Sequence, residues 1–287
     1  MSATATSARP ALTHDELNET LQAIKIPACP AVVAEVMREA QKDDPDMRVL
    51  AKIIASDVGM AAMAMKLANS AMFRAPSPVK SVPQAVNRLG INNILSIVIA
   101  VALRNSASDL PPELMERFWN RASTLALAAA VIAKRHVGIS ADAAYTFALF
   151  HDAAIPVLMT HFPDYVGVYS RALETRQSLV EVEFEHFKCS HPIVGWLLAR
   201  NWGLPPKVAA AIRFHHDPEL FSLDDESLTP DSVSLIAVTL VAEHVLAEFV
   251  GDADAAVTPL LVAALDFLGT SGADLDEYRD LLAAAIK

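Results

Sequence analysis

Cysteine is nearly missing from this chain of 287 residues: Cys29 and Cys189 stand far apart and form no C-x-x-C pair. That excludes a cysteine-built zinc cluster and fits a reducing compartment. Alternating apolar and polar stretches are scarce, which argues against sheets, and no fixed-period repeat occurs. A membrane crossing needs about 20 apolar residues. The one long apolar run, Ile94 to Leu103, falls short of that and reads as a buried helix. The opening Met1 to Pro10 lacks the apolar core of a secretory signal, so a cytoplasmic location is expected, with residues 1–14 as a disordered leader. Basic clusters are absent too: 23 Lys and Arg face 34 Asp and Glu, for a net charge of −11. Such a surface repels phosphate backbones, so neither nucleic acid nor a membrane is an expected partner.

What the chain has in abundance is hydrophobic residues, 53% of the total, with a mean hydropathy of +0.32. Its length favours two domains or lobes over a single core. Helical periodicity runs nearly from end to end, which sets the fold class as all-α. Asp44-Pro45 suits a helix start, followed by Leu50, Ile53 and Ile54 on one face. Met60, Met63 and Leu67 share a face in the next segment, whereas Met65 turns elsewhere. Ser81-Val-Pro-Gln84 and Ser178-Leu-Val-Glu181 read as capping boxes, and Gly90 and Gly203 as helix stops. Further helices are predicted over 113–136, 141–152, 164–175, 179–187, 190–202, 207–216, 232–249 and 259–286. Ser106 to Pro112 is the mid-chain linker, because paired prolines stop a helix. The lobes therefore read as 15–110 and 111–250, with a helical extension over 251–287.

The residues that can carry chemistry follow the linker: His151-Asp152, His191 and His215-His216. Imidazole and carboxylate groups together suit a divalent metal, which lowers the pKa of a bound water and polarises a phosphate. Neighbours on a helix diverge by about 100°, so a His-Asp doublet needs partners from other helices. Without them, each histidine is simply a core group that hydrogen-bonds across the bundle.

Phe150-His151-Asp152, inside Ala148 to Leu158, resembles the doublet of HD-superfamily phosphohydrolases. Ile26-Pro-Ala-Cys-Pro-Ala-Val-Val33, Ile54-Ala-Ser-Asp57, Lys66-Leu-Ala-Asn-Ser70, and Ser81-Val-Pro-Gln-Ala-Val86 with Leu89-Gly90 resemble the HDOD family, the HD-related output domain of bacterial signalling proteins. His191 to Gly195, Trp202-Gly-Leu-Pro205 and His215-His216-Asp-Pro218 continue the match. The resemblance implies an N-terminal HDOD-type helical bundle followed by an HD-like helical bundle, in a regulatory role without demonstrated catalysis. It also implies a set of metal ligands, namely His151, Asp152, His191, His215 and His216, with the terminal aspartate ligand mapped onto Glu243.

Three departures from the active pattern stand out. Aligned on Phe118-Trp119, the first metal-ligating histidine falls on Arg121, which is always protonated and has no lone pair to give. The lysine that helps hold phosphate falls on Ile155. The Gly-Tyr-Pro signature of the cyclic-di-GMP branch is replaced by Asp217-Pro-Glu-Leu-Phe-Ser222. Arg121 is accordingly expected to pair with Asp152 across a degenerate site. The expectation is a non-catalytic regulatory module that binds another signalling protein in trans or a small ligand. It would need no resident cofactor, with a divalent metal (Fe, Mn, Mg or Zn) left open. A metal-dependent hydrolase acting on a nucleotide or cyclic dinucleotide is the rival, and a plain scaffold the third reading. Met65 marks the N-terminal lobe as the candidate docking face.

Overall fold

The computed structural model describes residues 24, 26–73, 75–107, 109–175, 177–249 and 257–286; the leader expected over 1–14 lies outside them. Helix follows helix, and no strand occurs among the described residues. In order they are α1 (Ala31–Ala40), α2 (Met47–Ala55), α3 (Val58–Ala68), a 3-10 turn (Ala71–Phe73), α4 (Val82–Ser106), α5 (Pro112–Ala133), α6 (Ala141–Phe150) and α7 (Ala154–His161). There follow α8 (Tyr165–Thr175), α9 (Leu179–Phe187), α10 (His191–Asn201), α11 (Pro206–Phe214), α12 (Pro230–Phe249), α13 (Pro259–Leu268) and α14 (Gly272–Ile286).

Side-chain caps set many of these starts. Asp46, rather than Asp44, caps α2: its Oδ1 accepts from Arg48 N at 2.8 Å, and its own N–H donates to Glu39 at 2.9 Å. Asp57, Ser140, Ser178 and Thr258 cap α3, α6, α9 and α13 in the same way. Ser81 forms no such bond; Gln84 instead accepts from Lys80 N at 2.9 Å. Gly90, at φ 71°, interrupts α4 rather than ending it, and the helix resumes through Ser106. Gly269, at φ 64°, divides the stretch expected as one helix into α13 and α14. Both positions need a backbone that glycine adopts without strain.

The high apolar content goes into the core. Ile94, Ile97, Val98 and Ile99 of α4 are wholly or almost wholly buried, as are Ala126, Ala128, Ala129 and Ala130 of α5, whose small side chains let neighbouring helices approach closely. One continuous cluster runs from Val33 through α4, α5, α6 and α12 to Leu282, so apolar packing crosses the 106–112 linker. Met60 and Met72 are buried in it, and Met63 and Met65 pack against it. Met65 itself is half-buried, so it packs on the core with part of its side chain at the surface. A smaller cluster joins Ile24, Ala154, Ile155, Leu158, Tyr165, Cys189 and Val194. Ahead of α1, Pro27 O accepts from Trp202 Nε1 at 2.9 Å, which ties the start of the described chain to the second lobe.

Three stretches, Val82–Ser106, Ala141–His161 and Pro230–Phe249, are long and apolar enough to cross a membrane by length and composition. The uninterrupted apolar run Ile94 to Leu103 lies within the first of them. The first two are 67% and 83% buried, and they stand as inner helices of the bundle.

Candidate metal centre

Helix ends converge to build the site. α6 stops at Phe150, and His151-Asp152-Ala153 turn the chain into α7. His191 is the first residue of α10, His215 and His216 follow the last turn of α11, and Glu243 projects from α12. The turn removes the obstacle of 100° divergence that a doublet meets inside a helix.

Asp152 lies at the centre. Its Oδ2 is 3.1 Å from His151 Nε2, and its Oδ1 is 3.4 Å from His191 Nε2 and 3.6 Å from His215 Nε2. His151 Nε2 is also 3.4 Å from Glu243 Oε1. Asp152, His191, His215 and His216 each offer a ligand atom, all within 4.8 Å of one another. Ligands bound at 2.0–2.2 Å to one ion stand about 3–4.4 Å apart, so this set fits a single divalent cation.

The tautomers are fixed from behind. His151 Nδ1 lies 2.9 Å from Ala148 O, and His215 Nδ1 lies 2.8 Å from Ile212 O. A carbonyl only accepts, so each Nδ1 donates and each Nε2 faces the centre. His191 is held by a carboxylate instead: its Nδ1 and its backbone N–H donate to Glu183 Oε2 at 2.8 and 2.9 Å, and the Tyr165 hydroxyl donates to Glu183 Oε1. Glu183 is completely buried. The inward Nε2 atoms of His191 and His215 are buried without a hydrogen-bond partner. A buried lone pair left unpaired beside a carboxylate is what a metal ion satisfies, and the carboxylate–histidine arrangement behind it is the usual support for a ligand.

Charge follows the same geometry. Burial alone would push His151 down, but Asp152 and then Glu243, the two carboxylates it lies between, hold it up at about 10. Burial would raise Asp152, yet His151 and the other histidines keep it well below the usual carboxylate range. Burial works against His191 as well and is outweighed by Glu183. Burial lowers His215, leaving a neutral ring with its lone pair inward. Cys189, two residues before His191, is no nucleophile: burial and then Glu183 push its thiol up to about 12.

His151, Asp152, His191, His215, His216 and Glu243 thus meet at one place. The expected Arg121–Asp152 pair does not form. Arg121 is exposed on α5 and has no ion pair among the described residues, and the cation beside Asp152 is His151. With three imidazoles already around that carboxylate, a guanidinium gains more from water than from desolvation. Ile155 is 3% exposed and packs in the smaller apolar cluster. Glu183 and Tyr165 were missed in the sequence. The signal was an acid at 183, one turn from both Leu179 and Phe187 on the core-facing side of a helix whose other acids, Glu181 and Glu185, are exposed.

An all-helical bundle whose helix ends gather a histidine–aspartate cluster defines an HD-type helical protein. More narrowly, the HDOD domain family model matches residues 26–218, and the chain belongs to that family. Among solved structures it is similar to an HDOD domain protein of unknown function from Geobacter sulfurreducens, with 20% identity, 95% of this chain and 94% of that one covered, and a TM-score of 0.66. It is also similar to a Shewanella amazonensis SB2B protein provisionally named a phosphohydrolase, with 22% identity, 94% and 93% covered, and a TM-score of 0.69. At these identities the likeness is one of fold. An uncharacterized protein of Treponema pallidum (strain Nichols) is 25% identical over an alignment of 204 residues that covers 67% of this chain but only 38% of that protein's length.

Proposed function

We propose that this chain is a regulatory module of signal transduction rather than a hydrolase: the His/Asp cluster holds a divalent cation and its state is relayed to a partner protein in trans. The supporting observation is the division between what is kept and what is lost. Asp152, His191, His215 and His216 fit one ion. Arg121 is exposed where active HD-superfamily enzymes place a ligand, and Ile155 lies in the apolar core where such enzymes often place a phosphate-holding lysine. Groups that act as a unit lose activity steeply when one is removed.

A bound divalent ion supplies a centre of positive charge that polarises an oxyanion and acidifies water. The chain's own residues prepare for it: Glu183 and two backbone carbonyls aim the imidazoles, and His151 restrains Asp152 and Glu243. The hydrolase reading is favoured by one feature, the pair of inward Nε2 atoms without partners. Elemental analysis and Mn²⁺ titration of the purified chain separate the readings. Stoichiometric metal that is lost in His191→Ala, with no release of product from nucleotides or cyclic dinucleotides, is expected. Turnover that disappears in Asp152→Ala would assign the site to a hydrolase, and a chain that takes up no metal would end the cation-binding reading.

A further inference from the structure

Away from the cluster, on the outer side of α10 and α11, two arginines stack on one indole. Arg200 Cζ lies 5.0 Å from the centroid of Trp196, and Arg213 Cζ lies 5.1 Å from it and 4.7 Å from the ring of Phe214. Trp196 and Arg213 are half-buried and Arg200 is exposed, whereas the other two tryptophans, Trp119 and Trp202, are buried. Neither guanidinium forms an ion pair or hydrogen bond among the described residues, although the chain carries eleven more acids than bases. Asp225 is near enough to feel Arg213 but forms no ion pair with it, and its Oδ1 accepts from the backbone N–H and hydroxyl of Ser227, at 2.8 and 2.6 Å.

Stacking on a ring fixes a guanidinium's plane and strips part of its hydration while leaving its N–H donors free. A fork held in this way loses little entropy when it meets a carboxylate, which it binds through two parallel hydrogen bonds. We infer that this face is a docking site for an acidic segment of a partner protein, with Arg200 and Arg213 as the carboxylate receptors and Trp196 as the platform between them. A protein ligand fits better than a nucleic acid, because a net charge of −11 repels a long polyanion while two short-range forks still capture a few carboxylates. The placement also suits a relay. Trp196 and Arg200 share α10 with His191, and Arg213 lies one turn before His216, so the helices that present the patch also present three of the four metal-type donors.

The inference rests on the reading of the chain as a partner-binding module but not on metal occupancy. The test is fluorescence anisotropy of labelled deca-glutamate titrated with the full chain. An oligothymidylate of equal charge serves as the competitor, and metal content is measured on the same preparation. Saturable binding is expected, weakened at least tenfold in the double variant Arg200→Ala/Arg213→Ala with the circular dichroism spectrum unchanged. Arg213→Lys, which keeps the charge and loses the fork, is expected to weaken binding several-fold, and it answers the question should the double variant not fold. No saturation, equal binding by the variants, or preference for the oligonucleotide would overturn the docking site. Failure here with stoichiometric metal retained would leave the metal-sensing reading standing.

Discussion

Between residues 26 and 106 the polar side chains withdrawn from water are Glu39, Asn93 and Ser96, whereas beyond residue 111 they are Thr146, His151, Glu183, Ser190, His191, His215, Ser232 and Thr239. In the first set Glu39 accepts from Lys42 and from Asp46 N, Asn93 donates to Leu89 O while its Oδ1 stays unpaired, and Ser96 donates to Asn92 O and meets Thr146 of the second lobe. In the second set His151, Glu183, His191 and His215 gather around one exposed-edge aspartate, joined by Tyr165 and Glu243. Each buried polar group left without a partner costs about 1–3 kcal/mol. A bundle selected for stability alone would fill that centre with aliphatic side chains, as the first lobe does. The contrast places the interacting buried polar cluster in the second lobe, while the first buries mainly aliphatic side chains.

The comparison breaks most visibly at Glu183. Glu183→Ala leaves the Tyr165 hydroxyl and two His191 donors buried and unpaired, for an expected loss of about 3–5 kcal/mol in urea unfolding. Metal uptake should vanish with it, because nothing then orients His191. A variant that stays as stable as the parent and still binds metal would show that Glu183 is not the support argued above. Leu50→Ala, at a wholly buried position of the first lobe, should cost about 2–5 kcal/mol. It should leave metal affinity per folded molecule unchanged, and a parallel loss of affinity would mean the lobes are not separable in function. The smallest effect is expected at Lys188, whose φ of 57° is the one positive value at a non-glycine among the described residues. Lys188→Gly should stabilise by up to about 1 kcal/mol in the same unfolding measurement, since glycine occupies that region freely. Destabilisation would show that the lysine side chain outweighs the backbone strain.

Much of this arrangement was legible in the sequence, and the exceptions have physical causes. Helix periodicity gave α9 to the residue, because Ser178 and the left-handed turn at Lys188 bound it on both sides. It misplaced the start of α2, where Asp44 and Asp46 are equally good caps on paper and only the tertiary bond to Glu39 selects the second. Five site residues stood out as histidines and an aspartate beyond the linker and Glu243 came through motif resemblance; the ends of α6, α10 and α11 and the body of α12 bring them together in a way no spacing reveals. Glu183 was legible only as an acid on an apolar face. The Arg121 pairing failed because matching position to position ignored that His151 already supplies the cation that Asp152 requires.

The central claim is that the cluster binds a cation without completing a hydrolytic site. The most direct measurement is hydrolysis of bis(p-nitrophenyl) phosphate by the chain loaded in turn with Mn²⁺, Fe²⁺ and Mg²⁺, beside Asp152→Ala. The account predicts no release above the variant with any of the three metals. Release by the parent chain that Asp152→Ala abolishes would contradict it.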